Sequence, residues 1–225
     1  MLAVFFSLNP CGVVQPGVKT FAFCFIMLFQ LFEFASGDPL NCGSIVYTRD
    51  QLLPVLPSVI MGNVRSLSNK MDQLAALIRL QRVYRESSLL CFTETWLNQD
   101  TPDSVVSVNG FTLVRADRSA AESGKKKGGG LAVFVNNRWC NPGHITVKQQ
   151  LCSKDVELVA VCVRPYYLPK EFSHVLAVTV YVPPSADTTA ACERVHSTVS
   201  QLQTQHPQAL ILISGDFNHA WVSPG

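Results

Sequence analysis

Four short apolar runs, each closed by a polar or charged side chain, constrain this chain more than any other feature. Val59-Ile60-Met61-Gly62 leads into Asn63, and Leu89-Leu90-Cys91-Phe92 leads into Thr93-Glu94. Val178-Thr179-Val180 leads into Tyr181, and Leu210-Ile211-Leu212-Ile213 leads into Ser214-Gly215-Asp216-Phe217-Asn218. An apolar run of this length bounded by Gly or turn residues reads as a strand buried on both faces. In α/β proteins the carboxyl ends of such strands carry the reacting groups. Asp216 and Asn218 place a charge and a neutral amide two residues apart, which suits a hard cation and an attacking water. Set against this is a strand that simply ends in polar turn residues, and the last run by itself leaves the two readings level.

Between these runs the pattern alternates. Asn69, with Asp72 three residues on, is expected to cap a helix whose apolar stripe is Met71, Leu74, Ala75 and Ile78. A second helix is expected from about Thr188 to Gln205, with Cys192, Val195, Val199 and Leu202 facing inward and Pro207 just beyond its end. His196 lies beside that stripe and reads as a solvated histidine. Strands are expected near 58–63, 88–93, 111–115, 130–136, 156–163, 174–182 and 209–215.

Beyond the four runs stands the entry Gly128-Gly129-Gly130-Leu131-Ala132-Val133-Phe134-Val135, and the runs themselves carry the wordings Asn-x-Arg-Ser-Leu, Thr-Glu-Thr-Trp-Leu, Tyr-x-Pro-Pro and Gly-Asp-Phe-Asn. In this order the set resembles the exonuclease-endonuclease-phosphatase superfamily over roughly residues 57–220. Within it the wording is most similar to the apurinic-type endonuclease domain of LINE-type (non-LTR) retrotransposons. Any one motif is weak, but jointly they are specific. The resemblance implies an α/β fold of two packed β-sheets flanked by helices, a four-layer sandwich with strand ends converging at one mouth.

Carried over by motif, Asn63 and Glu94 match the metal-site pair, with Glu94 the direct carboxylate ligand. Tyr181 matches the phosphate-contacting tyrosine, Asp216 the acid that orients or deprotonates the attacking water, and Asn218 the amide that helps hold the scissile phosphate. The implied cofactor is Mg²⁺, with Mn²⁺ as the alternative, because magnesium keeps several waters and takes only one or two protein carboxylates. The implied partner is DNA, and no small-molecule cofactor is expected. The implied reaction is metal-dependent phosphodiester hydrolysis that nicks DNA and leaves a 3′-hydroxyl to prime reverse transcription.

The family's closing Ser-Asp-His does not occur after Asn218, and its additional acidic residue between the last two motifs is absent too. His219 follows Asn218 directly, where the motif asks for no histidine, so it is not a substitute. The domain is therefore expected to be incomplete at its C-terminus, with an unpaired edge on its second sheet. An imidazole in such a site contributes on the order of a hundredfold or more, so activity is expected to be impaired. The alternative is a nonenzymatic retroelement remnant that at most binds metal, DNA or a partner.

The composition, 48% hydrophobic and 15% charged over 225 residues, fits a globular domain and argues against a disordered or fibrous chain. A net charge of +2 and a pI near 8.1 are too mild to mark a dedicated DNA-binding domain, so DNA is inferred from the motifs. Residues 57–225 form the expected domain, and residues 1–56 an apolar leader. In the leader, Phe21 to Phe32 is nearly uninterrupted apolar sequence followed by Ala35-Ser36-Gly37. Translated flanking sequence ranks first for this segment, and a signal or membrane anchor second, since no positive charge precedes Lys19. The protein is expected in nucleus or cytoplasm under the first reading and in the secretory route under the second.

Of the eight cysteines, Cys91 and Cys162 fall inside apolar runs and read as buried thiols, while Cys140 and Cys152 fall in less regular stretches where a pair is conceivable. Lys125-Lys126-Lys127 reads first as a solvated loop and second as a phosphate contact. Arg115, Asp117 and Arg118 are expected to pair with one another or approach DNA. Trp96 and Trp139 are expected in the core, with a groove-facing position as the alternative.

Overall fold

The computed structural model describes residues 2–4, 41–45, 56–125 and 127–218. In chain order the elements are β1 (Leu2–Val4), β2 (Asn41–Ile45), β3 (Val59–Asn63), α1 (Met71–Leu80), α2 (Arg82–Glu86), β4 (Leu89–Thr93), β5 (Phe111–Ala116) and α3 (Ala120–Ser123). There follow β6 (Leu131–Asn136), β7 (Cys140–Cys152), β8 (Glu157–Pro165), β9 (His174–Tyr181), α4 (Thr188–Gln205) and β10 (Ala209–Asp216). One sheet has the order β1-β10-β9-β8-β7 and the other β2-β3-β4-β6-β5. β1, of three residues, is the outer strand of the first sheet, and β2, of five, that of the second.

The two sheets face one another, and alternation along the inner strands builds three apolar layers. Val59, Met61, Leu89, Cys91, Val133, Val161, Ala177, Leu210 and Leu212 fill the space between the sheets. The alternate residues Ile60, Leu90, Phe92 and Phe134 pack outward with Leu74 of α1. Leu176, Val178, Val180, Ile211 and Ile213 pack outward with Val195, Val199 and Leu202 of α4. Burial on both faces explains why these strands read as continuous apolar runs. This is the two-sheet sandwich flanked by helices.

Besides the short β1 beside β10, two pairs within it are parallel: β3 with β4, and β9 with β10. Their carboxyl ends open at the same mouth, because Asn63 pairs with Thr93 and Tyr181 with Asp216 in the last register positions. Following the inter-sheet face toward that mouth, apolar residues give way to Asn63, Thr93, Thr179, Tyr181, Ser214 and Asp216. The period of two that buries Leu210 and Leu212 delivers Asp216 to the gap between the sheets.

The helix α4 spans Thr188–Gln205, with Asp187 accepting hydrogen bonds from the Thr189 and Ala190 N–H groups at 3.0 and 3.1 Å. Its expected inward set is present, although Cys192 is only partly buried and Ala191 and Thr198 complete the face. The first helix differs at its start. A 3₁₀ turn occupies Ser68–Lys70, so Asn69 lies within it and makes no capping bond. The buried stripe runs through Leu74 with Met71, Leu77 and Ile78 beside it, and Ala75 is exposed.

The thirteen-residue strand β7 was not expected. It is almost wholly exposed, with polar residues along most of its length, so it lacks the apolar signal that marks the inner strands. It places Cys140 and Cys152 at opposite ends, roughly 40 Å apart at strand rise, and both thiols are free.

Candidate active site

Three of the four strands that reach the mouth, β3, β4 and β10, end in sharply turned loops. Among the described residues, non-glycine left-handed backbone occurs at Arg65 and Ser66 after β3, Glu94 and Trp96 after β4, and Asn218 after β10. Such conformations cost of order 1–3 kcal/mol each and collect where function over-determines the backbone. The first two loops are zipped together by hydrogen bonds from Val64 N to Thr93 O (3.0 Å), Ser66 N to Glu94 O (3.0 Å) and Leu67 N to Thr95 O (2.9 Å). The glycine-rich turn before β6 holds the other side, with Thr95 N donating to Gly130 O at 3.2 Å and Trp96 N to Gly129 O at 2.9 Å. Glu94 is thus fixed from two directions despite its strained φ of 52°.

The side chains the sequence singled out come together. Asn63 Nδ2 donates to Glu94 Oε1 and to Asp216 Oδ2, both at 2.9 Å. The Tyr181 hydroxyl donates to the same Glu94 Oε1 at 2.9 Å. Asp216 Oδ1 accepts from the Asn218 backbone N–H at 3.1 Å, and Asn218 Nδ2 donates to Val182 O at 2.7 Å. Asp216 and Tyr181 are buried, while Asn63, Glu94 and Asn218 are partly exposed. Burial first, and then the neighbouring Glu94 carboxylate that accepts its hydrogen bond, pushes the Tyr181 phenol well above its ordinary value. Tyr181 is therefore a neutral donor at any physiological pH.

The sequence profile of the Endonuclease/Exonuclease/phosphatase family matches residues 62–225. The chain belongs to that family. No curated protein matches it. Among solved structures it is similar to a humanized D. rerio TDP2 carrying 14 mutations, at 11% identity and a TM-score of 0.45 over 72% of this chain and 62% of that one. It is also similar to the human Nocturnin catalytic domain with bound sulfate (14% identity, TM-score 0.44, 71% and 63% covered). A third is the AP endonuclease LMAP of Leishmania major (19% identity, TM-score 0.39, 56% and 40% covered). The chain thus spans less than two thirds of the length of these relatives.

Nucleases of the endonuclease/exonuclease/phosphatase family generally use divalent metals, and the donor set here fits a hard cation. The four groups at the mouth are all oxygen-bearing: two carboxylates, Glu94 and Asp216, and two amides, Asn63 and Asn218. Among the described residues no cluster of three His, Cys, Asp or Glu side chains occurs. Two carboxylates beside amide oxygens suit an ion that keeps much of its water and takes one or two carboxylates. Two carboxylates converge on the single Asn63 NH₂, a partial positive charge standing between them. Asn63 Oδ1 is buried without a partner. A half-turn of the amide would exchange the two atoms, presenting Oδ1 as a ligand beside Glu94.

Behind the site lies a pair that sequence reading missed. Arg118 Nε donates to Glu157 Oε1, and Gly130 N donates to Glu157 Oε2 at 2.6 Å. Burial pushes the Glu157 carboxyl up, opposed by the Gly130 N–H and the Arg118 guanidinium. The guanidinium also stands 5.8 Å from the Tyr181 ring centroid. One ion pair therefore buttresses both the glycine turn that grips Glu94 and the ring of Tyr181. The available signal was Glu157 itself, a carboxylate opening the apolar run 158–163.

Arg115 pairs with Asp117 and Asp103, whereas Arg118 turns inward to Glu157. Lys125 Nζ donates to Ser185 Oγ at 2.7 Å, Lys127 is exposed, and Lys126 and His219 lie outside the described residues. Trp139 packs on the inter-sheet core, Trp96 is 48% exposed, and His196 is exposed on α4. Burial pushes up the thiols of Cys91, Cys140, Cys152, Cys162 and Cys192, so none is poised as a thiolate nucleophile.

Proposed function

We propose that this domain is a divalent-metal-dependent phosphodiesterase, a DNA-nicking endonuclease of a LINE-type retrotransposon. The observation that carries the reading is the convergence of Glu94 Oε1 and Asp216 Oδ2 on Asn63 Nδ2, each at 2.9 Å, with the Tyr181 hydroxyl on the same Glu94 oxygen. Glu94 and Asn63 would hold Mg²⁺ or Mn²⁺, which when bound supplies Lewis-acid stabilisation of charge on the phosphate oxygens.

Asp216 orients the attacking water and accepts its proton, its two oxygens fixed by Asn63 and the Asn218 N–H. Tyr181, kept neutral, holds Glu94 in register through its single hydroxyl hydrogen, and would donate that hydrogen to a phosphate oxygen only by exchanging it for the Glu94 bond. Asn218 spends one amide hydrogen on Val182 O, which fixes the plane of the amide and leaves the second to donate to a non-bridging oxygen. DNA as the substrate and the retrotransposon origin rest on the joint wording of the five motifs.

The test is nicking of supercoiled plasmid with Mg²⁺, beside phosphate release from an inositol phosphate. Metal-dependent nicking lost in both Glu94→Gln and Asp216→Asn, by roughly a hundredfold or more, is the expected outcome. Phosphate release without nicking would sink the endonuclease reading. No metal-dependent rate on either substrate would favour a nonenzymatic protein.

A further inference from the structure

Two residues beyond Glu94 stands a second unusual residue, which the proposed chemistry does not use. Trp96 has φ 57°, a left-handed backbone that a bulky side chain rarely adopts, pinned by its N–H to Gly129 O at 2.9 Å. That geometry does not serve the core, because the indole remains 48% exposed while its neighbours Thr95 and Leu97 are buried. The indole instead lines a cavity of about 350 Å³ with Leu97, Asn98, Arg118, Lys127 and Gly128.

The chemistry of this cavity is specific. No acidic residue lines it; of its two cationic lining residues, Arg118 is paired with Glu157 behind it, and Lys127 is exposed. The other cavity near the mouth, about 520 Å³, is lined by Asp117 and Glu122, and its Arg115 is already paired with Asp103 and Asp117. Gly128, beside the indole, has φ 82°, a backbone that favours glycine, and a Cβ there would make only ordinary contact with Arg118 Nη1 at 3.4 Å and Trp96 Nε1 at 3.9 Å. An exposed aromatic plane beside an exposed lysine is a combination that binds single-stranded nucleic acid: bases stack on the ring and the backbone follows the positive charge. Two residues of chain span at most about 7 Å, and successive nucleotides of a strand rise about 3.4 Å. A base stacked on Trp96 therefore belongs to a nucleotide within a few steps of the phosphate held at Glu94.

We propose that this cavity is a nucleobase subsite in which Trp96 stacks on an unpaired base flanking the cleaved phosphate, with Lys127 beside the backbone. The inference rests on the phosphodiesterase reading of the adjacent carboxylates and names its substrate class as base-bearing and locally unstacked.

The experiment compares binding of two single strands of equal length, one base-bearing and one abasic throughout, by fluorescence anisotropy in EDTA. Alongside it runs hydrolysis of a small phosphodiester with metal. Trp96→Ala is expected to weaken the base-bearing strand roughly 5- to 150-fold, with Trp96→Phe restoring most of the affinity and the abasic strand unaffected. Were Trp96→Ala unable to fold, Trp96→Leu reads the same difference, keeping apolar volume without a π-face. Unchanged affinity in these variants, or an equal loss on both strands, overturns the stacking subsite while leaving the DNA reading standing. Hydrolysis of the small diester by a wild-type chain that binds neither strand overturns the DNA reading and the subsite with it.

Discussion

Arg118 and Glu157, 39 residues apart in sequence, form an ion pair whose side chains are 7% and 2% exposed. Glu157 also accepts the Gly130 N–H, and Gly130 in turn accepts from Thr95, the residue after Glu94. Removing one partner leaves an uncompensated buried charge, which costs about 3–5 kcal/mol. Glu157→Ala is expected to lower the urea midpoint accordingly. Replacing both, as in Arg118→Met with Glu157→Leu, is expected to recover much of that stability but not activity, because Tyr181 and the glycine turn lose their common support. Urea unfolding of the three variants together with plasmid nicking checks both halves; recovery of full activity in the double variant would show that the pair is only structural.

Gly215 sits between Ser214 and Asp216 on β10, where a Cβ would fall 1.9 Å from Val180 O and 2.7 Å from the carbonyl carbon. Both obstacles are backbone, so no rotamer change relieves them. Gly215→Ala must push β10 off β9 at the position next to the Asp216–Tyr181 register pair. A loss of about 3 kcal/mol is expected, at the upper end of overpacking costs, and activity should fall even where the protein remains folded. Thermal unfolding gives the first quantity and nicking at a temperature well below the transition gives the second.

The inner strands and α4 were legible because both depend on apolar periodicity, and that periodicity is a property of one segment at a time. The motif residues were legible because they fall at the ends of those strands, where the alternation that buries Leu210 and Leu212 also aims Asp216. What escaped is what depends on distant partners or on solvent. β7 is held by pairing with β8 while presenting polar residues to water, so its segment carries no internal signal. The Arg118–Glu157 pair, the left-handed backbone at Glu94 and the contact from Asn218 to Val182 all arise from loops closing on one another. Trp96 was expected in the core because aromatic residues usually are; its strained backbone, which residue type does not reveal, holds it at the surface.

The Tyr181 hydroxyl donates to Glu94, so the titration of the phenol depends on that carboxylate. The carboxylate raises the phenol twice over, by its charge and by accepting the O–H, on top of the burial that contributes most. Glu94→Gln removes the charge but not the burial. The Tyr181 phenol is then expected to titrate lower than in the wild type yet still above its ordinary value of 10.0. Ultraviolet difference titration at alkaline pH, with Tyr181→Phe to assign the signal, measures this. A phenol unmoved by Glu94→Gln would mean that the two side chains are not in contact in solution.

His174 opens β9 far from the mouth, buried, with Ser173 Oγ at 2.7 Å from its Nδ1 and His206 Nδ1 at 3.2 Å from its Nε2. Burial lowers its pKa from 6.5, and the positive potential of His206, Arg164 and Lys148 lowers it further. A base whose folded pKa lies below its unfolded one binds fewer protons folded than unfolded across that interval, so stability rises with pH there. The contribution is fully present above about pH 6.5 and is lost as pH falls below that value toward the lower folded pKa. Stability is therefore expected to decline as pH falls below about 6.5, the ordinary value of the group. His174→Gln, which keeps a hydrogen-bonding side chain without the titration, should flatten that part of the profile while leaving nicking at neutral pH unchanged. Urea midpoints across the interval decide it, and an equal decline in both proteins would assign the pH dependence to other groups.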